Sequence, residues 1–140
     1  MERDVLKLEN QLCFPLYAAA RTVEKRYYKL LSEIDLTYTQ YITMMVLWEE
    51  KEISVKALGE RLFLDSGTLT PVLKSLEKKG FVKRERSKQD ERVVMVSATK
   101  LGDDLRKKAK DIPNKIAACF NLKEEEAVTL YKLLYKVLDK

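Results

Sequence analysis

Two side chains in this sequence carry a nucleophilic sulfur, Cys13 and Cys119, and no histidine accompanies them. Without histidine, neither a Ser-His-Asp triad nor a Cys-His pair can form. Two thiols 106 positions apart also fall short of the four ligands a structural zinc needs. The four glycines, Gly59, Gly67, Gly80 and Gly102, make no phosphate-cradling loop. No metal or cofactor is therefore expected, and an enzyme is not the expected reading. What remains is thiol chemistry: a thiolate reacts with peroxide to give a sulfenic acid, which condenses with a second thiol. The competing reading is packing, since a cysteine among apolar residues is commonly a small core residue.

The other available chemistry is electrostatic. The net charge is +5, and residues 74–110 hold thirteen Lys/Arg against six Asp/Glu, while the rest holds fourteen against sixteen. Positive charge gathered into one stretch marks either a nucleic-acid binder or a solvated helix face. A chain that is 46% hydrophobic and 35% charged suits a soluble globular protein. The longest nearly apolar run, 12–20, is too short to span a bilayer. The start Met1-Glu2-Arg3-Asp4 has no basic n-region or cleavage site. No export is expected, and the cytoplasm, with both thiols reduced, is the expected compartment.

These groups need elements to position them. Leu16, Ala19, Ala20, Val23, Tyr27 and Leu30 recur at helical spacing, which predicts a helix over 12–32. Asn10 is its expected N-cap, placing Cys13 at the third helical position and Pro15 near the first turn, where a missing N–H matters least. A helix N-terminus and a phenolic donor both favour an anionic thiol. Tyr17, one turn on, can reach Cys13 within the chain. Tyr27 is fourteen residues along the same helix, roughly 21 Å away at 1.5 Å per residue.

A second helix is expected over 39–50, and Ser54 is placed to cap a short one over 55–63. After a brief turn, Asp65 is placed to cap a helix reaching residue 79, with Leu69, Val72, Leu73 and Leu76 facing the core. Its other face carries Gly67, Thr70, Pro71, Lys74 and Lys78, flanked by Thr68 and Ser75, and Ser66 at its start joins the expected DNA-binding residues. Short groups near a helix start suit base edges in a major groove, and lysines behind them suit phosphates. Gly80 ends that helix. Strands over 81–86 and 93–97 then flank a polar loop, a hairpin supplied with cations by Arg84, Arg86, Lys88 and Arg92.

Helix, turn, helix and basic hairpin in that order predict an α+β, mostly α fold, the winged helix-turn-helix. Thr99 is placed to cap a long helix to about residue 120. Asn121 and Glu124 form a possible capping box for a last helix over 122–138. Apolar residues surround much of that last helix, more than a single core stripe requires, so a homodimer is expected. The chain reads as a single domain, 1–140. Its DNA-binding lobe is expected over about 39–98, with dimerisation helices over 1–38 and 99–140.

Over essentially its full length the chain resembles the MarR family of winged-helix regulators. Segment 62–77 (LFLDSGTLTPVLKSLE) looks like the family's recognition-helix region, and Asp90-Glu91-Arg92 matches its Asp-x-Arg wing signature. The resemblance implies that Asp90 orders the wing and that Arg92 is a wing arginine. A narrower likeness is to the organic-hydroperoxide-sensing, OhrR-like branch, through segment 8–14 (LENQLCF). It implies that Cys13 is the reactive thiol, that Tyr27 and Tyr38 donate hydrogen bonds to its thiolate, and that Cys119 is the resolving thiol. Tyr27 is too far along its own helix to reach Cys13, so the implied site straddles the dimer.

The expected function is a repressor that holds double-stranded, pseudo-palindromic operator DNA while Cys13 is reduced. It would let go once Cys13 is oxidised and joined to Cys119 of the partner chain or to a small thiol. Three rivals stay open: control by a small aromatic ligand, a thiol peroxidase, and a purely structural dimerisation module.

Overall fold

The computed structural model describes residues 4–139, so the Met1-Glu2-Arg3 start lies outside the described residues. After a 3₁₀ turn at Leu8–Asn10, α1 runs Cys13–Ser32. Asn10 does not cap it. The Asn10 amide donates back to the Asp4 carbonyl at 2.7 Å, and Leu12, with no capping side chain, precedes the first turn. Cys13 is therefore the first residue of α1, two positions earlier in the helix than expected. The following helix, α2 (Tyr38–Glu50), has a full capping box: the Gln40 N–H donates to Thr37 Oγ1, and the Thr37 N–H donates to Gln40 Oε1.

The short strand β1 (Glu52–Ser54) leads into α3 (Val55–Leu62), capped by Ser54 through the Ala57 N–H at 3.1 Å. Phe63 takes the left-handed conformation (φ 56°) and turns the chain into α4 (Ser66–Lys78). Asp65 caps α4 by accepting from the Thr68 N–H at 2.7 Å. Pro71 sits inside α4 and cannot donate to the Gly67 carbonyl. Beyond Gly80 (φ 83°) come β2 (Val82–Arg86) and β3 (Val94–Ala98). The antiparallel sheet has the order β1-β3-β2, with Arg84 opposite Val96 and Ile53 on the other side of Val96. β1 had no sequence signal, because three residues are too few to show a period.

The core lies between α2, α3, α4 and the sheet, where Met44, Leu47, Leu58, Leu73, Leu76 and Val96 are fully buried. Thr99 caps α5 (Lys100–Ala109) from the Gly102 N–H. Gly102 is required there: a Cβ would stand 2.1 Å from the Phe81 carbonyl oxygen. Trp48 fixes the same spot from α2 by donating to the Gly102 carbonyl at 2.9 Å.

The single long helix expected to residue 120 is instead two. It breaks after Ala109 and resumes as α6 (Ile112–Ala117), because Pro113 has no N–H to give the Ala109 carbonyl. The last helix, α7 (Glu124–Leu138), begins two residues later than expected. Asn121 does not cap it; the Lys123 N–H donates to Glu126 Oε1 at 2.9 Å instead.

Candidate nucleic-acid interface and thiol site

Because Asp65 holds the first turn of α4, the backbone there is ordered and its outer face is set. The Thr68 N–H, and its hydroxyl second, keep the Asp65 carboxyl below the usual carboxylate range, so the cap stays ionised. Leu69, Leu73 and Leu76 are buried, which turns Ser66, Gly67, Thr68, Pro71 and Lys74 to the surface. Thr70 is half-buried and its hydroxyl donates to the Ser66 carbonyl at 2.7 Å.

The β2–β3 loop is braced from within. The Ser87 N–H donates to the Val93 carbonyl at 2.7 Å, and the Val93 N–H to the Asp90 carbonyl at 2.9 Å. Asp90 accepts from the Arg92 N–H at 3.0 Å and from the Arg92 guanidinium at 3.2 and 3.4 Å. Those contacts hold the Asp90 carboxyl below its ordinary range, the guanidinium contribution leading. The Arg92 side chain is 91% exposed, so it braces the loop while its outer edge faces solvent. Arg86 donates to the Glu91 carbonyl at 2.9 Å, and Lys88 is exposed at the tip. Arg84 differs from these: its Nε donates to Glu77 on α4, and both side chains are about one-third exposed or less (27% and 34%). Arg84 thus ties the first wing strand to α4. Opposite charges either side of the Gly80 turn were the available signal for this pair.

The thiol residues fall in two places. Cys13 is exposed at the start of α1, in a surface that also exposes Leu12, Phe14, Leu16 and Tyr17. Tyr17 is held by Arg21, whose guanidinium donates to the phenol oxygen at 2.9 Å and lies 5.6 Å from the ring centre. Tyr27 and Tyr38 meet in the other place, ring centres 4.8 Å apart, with Tyr41 at 5.8 Å from Tyr27. Burial pushes the Tyr27 phenol up to about 12, with Tyr38 and Tyr41 adding to it. Burial likewise raises the Tyr38 phenol. Both therefore remain neutral hydrogen-bond donors near neutral pH.

Cys119, also exposed, sits in the turn after α6, where its Sγ donates to the Lys115 carbonyl at 3.4 Å. Its own carbonyl accepts from Arg26 of α1 at 2.9 Å. That link spans 93 positions, and no local pattern announced it. Tyr41 and Gln40 were also missed. Gln40 is buried, donates to Ser75 Oγ of α4 at 2.9 Å and accepts from Lys79 at 3.0 Å. It joins the start of α2, where Tyr38 stands, to α4.

Within one chain, Tyr27 and Tyr38 are brought together and Cys13 is not brought to them. Arg26 lies thirteen residues beyond Cys13 on α1, about 20 Å at 1.5 Å per residue. Disulfide Cα atoms stand roughly 4.4–6.8 Å apart, so Cys13 and the tethered Cys119 of the same chain are not partners. Among the described residues no group of His, Cys, Asp and Glu could hold a metal ion.

A family model described as "Transcriptional regulator SarA/Rot" matches residues 25–112. The chain is 46% identical to the organic hydroperoxide resistance transcriptional regulator of Bacillus subtilis, over 97% of this chain and 92% of that one. Two solved structures of AbfR are similar to this chain. The reduced, DNA-bound form has a TM-score of 0.81 at 35% identity, covering 99% of this chain and 96% of that one. The disulfide form has a TM-score of 0.67 at 35% identity, covering 94% and 93%.

Proposed function

Because the chain belongs to the MarR-type winged-helix transcriptional regulators, in the OhrR-like branch, we propose that it is a dimeric, redox-controlled repressor of operator DNA. It is a regulator and not an enzyme. Residues 39–98 form the lobe that meets DNA, and 1–38 with 99–140 form the dimer. Ser66, Gly67, Thr68, Thr70 and Pro71 face base edges, with Lys74, Arg86, Lys88 and Arg92 on phosphates or the minor groove. Among the described residues no helix is long and apolar enough to cross a membrane, and the cytoplasm is the proposed compartment.

One observation carries the redox reading. Both thiols are exposed, and Cys119 is tethered to Arg26, about 20 Å along α1 from Cys13, while a broad apolar surface along α1 and α7 stands uncovered. A second chain laid on that surface supplies the Cys13 that Tyr27, Tyr38 and Cys119 lack in their own chain. The Cys13 thiolate attacks the outer oxygen of an organic hydroperoxide; the O–O bond breaks, the alkoxide leaves and takes a proton to become the alcohol. Cys13 is left as the sulfenic acid. The thiolate of the partner's Cys119 then attacks that sulfur, and hydroxide leaves as water. A small thiol can take the place of Cys119. The cross-link moves the recognition helices off the spacing of two half-sites, and DNA is released.

Peroxide should give a covalent dimer on non-reducing gels, restored by reductant, together with loss of operator binding. Cys13→Ser should bind operator and ignore peroxide; release of DNA by oxidised Cys13→Ser would overturn the reading. A second reading, control by a small aromatic acid, has one observation in its favour. An open groove of ≈ 1660 Å³ between α3, the wing base and the end of α7 is lined by Phe63, Leu69 and Tyr135 beside Lys56, Arg92 and Lys132. Release of Cys13→Ser by aromatic acids would favour it.

A further inference from the structure

We infer that Arg26 is the residue that positions Cys119 for the resolving step, and the inference rests on the redox reading above. Cys119 lies between α6, only six residues long, and α7, in a turn with no helix of its own. Beyond the turn's own hydrogen bonds, such as the Cys119 N–H to the Ile116 carbonyl at 2.9 Å, one side chain of α1 makes two contacts with it. The Arg26 guanidinium donates to the Cys119 carbonyl at 2.9 Å and lies 5.9 Å from the centre of the Phe120 ring. A hydrogen bond from a charged donor and a cation–π contact act together on adjacent residues. The turn is thereby pinned at one height on α1.

That height is the one where the reaction takes place. Tyr27 follows Arg26 directly, and its ring packs on Tyr38 at 4.8 Å. The redox reading puts the partner's Cys13 beside these two phenols. The clamp therefore brings the second thiol to the first, and holding two reactants in one geometry raises the rate of a step between them. In the resolving step, the Cys119 thiolate attacks the sulfenic sulfur of the partner's Cys13. The S–S bond forms as the S–O bond breaks, and hydroxide leaves and takes the proton released by the Cys119 thiol, giving water. Arg26 touches neither sulfur; it acts through the backbone of Cys119.

Because Arg26 is exposed, replacing it opens no core cavity. The test uses the full-length reduced dimer and tert-butyl hydroperoxide, and follows two steps separately. Sulfenic acid formation at Cys13 is read by dimedone trapping in a Cys119→Ser background. Disulfide formation is read from the growth of the covalent dimer on quenched non-reducing gels. Arg26→Met should leave the first rate unchanged and slow the second on the order of tenfold, the loss of one charge-assisted hydrogen bond. Slower resolution should also leave more Cys13 as the sulfinic acid, seen by mass spectrometry as two added oxygens. Arg26→Lys, which keeps a donor without the planar stack, should fall between wild type and Arg26→Met, and serves should the methionine variant fail to fold.

A general structural defect would alter both steps; a positioning role alters only the second. If Arg26→Met cross-links as fast as wild type, the clamp is refuted while the redox reading stands. If wild type itself forms no cross-link between Cys13 and Cys119, the clamp is refuted, and the redox reading falls with it only if oxidised Cys13→Ser still releases DNA.

Discussion

At the scale of single residues, burial sets the protonation state of Tyr27, the phenol proposed to meet a thiolate. Its phenol, ordinarily near 10, is pushed up to about 12 by burial first and by Tyr38 and Tyr41 after it. The neutral form is thus favoured in the folded protein, and the neutral phenol is the form that donates to a thiolate. Since the folded value lies above the unfolded one, this preference adds to stability below about pH 10 and is lost as pH climbs towards 12. Tyr27→Phe should therefore lose less stability than wild type across that alkaline window, measured by denaturant unfolding at a series of pH values. The same variant should slow the reaction of Cys13 with hydroperoxide at neutral pH, by several-fold for one lost donor. An unchanged rate would remove Tyr27 from the sensing site. Cys13 was proposed from segment 8–14, and Tyr27 and Tyr38 from the family likeness, because reactive groups leave motifs. Arg26 was not, since its partner lies 93 positions away. The cap of α1 misled for a physical reason: Asn10 can satisfy its amide on Asp4 just as well as on a helix N-terminus.

Among the elements, two ion pairs brace the wing and tie it to α4, the two elements proposed to read DNA. Asp90 with Arg92 stiffens the loop, and Glu77 with Arg84 fixes β2 to α4. Arg84, read from sequence as one of the hairpin's cations, is therefore engaged inside its own chain. Lys74, by contrast, is exposed on the outer face of α4. Lys74→Ala should weaken operator binding and lower the salt slope by about one unit, as the loss of one phosphate contact requires. Arg84→Ala should weaken binding as well but leave the slope unchanged, because no phosphate contact is lost. Fluorescence anisotropy across a salt series separates the two; a slope lowered equally in both would place Arg84 on a phosphate. The order of helices, turn and hairpin was legible because caps such as Ser54, Asp65 and Thr99 and the spacing of Leu69, Leu73 and Leu76 mark it locally. β1 was not, since its three residues are defined by pairing to β3 rather than by any pattern of their own. The break before α6 was signalled by Pro113 and overlooked, because the apolar positions on either side kept a helical spacing.

For the whole molecule, the decisive fact is the side of the chain that has no core. Not one residue of α7 is buried, and Tyr131 (63%), Tyr135 (51%), Leu133 (54%) and Val137 (69%) stand exposed beside Val128 and Leu130. Near the start of the chain Val5, Leu6, Leu8 and Leu12 are exposed between 58% and 89%, and Tyr28 of α1 reaches 72%. Single exposed apolar residues are ordinary, but two elements that are apolar over most of their length form a patch larger than monomers tolerate. Tyr131 and Tyr135, with ring centres 4.7 Å apart, form an exposed aromatic ridge. A second copy supplies the missing cover, and under the proposed redox reading it is the copy whose Cys13 meets the tyrosine pair and Cys119. That reading rests dimerisation, sensing and the pairing of two DNA half-sites on one surface. Folding and association should then be linked, with a melting temperature that rises with protein concentration. A chain ended after Phe120 keeps Cys13, Tyr27, Tyr38, Cys119, α4 and the wing but loses α7. It should fail to dimerise and lose both operator affinity and the peroxide-dependent cross-link, although every residue assigned to DNA or to thiol chemistry is still present. Light scattering, anisotropy and non-reducing gels on the truncated chain measure these three losses. A stable dimer that still binds operator and cross-links without α7 would show that the apolar face serves something other than the pairing of chains.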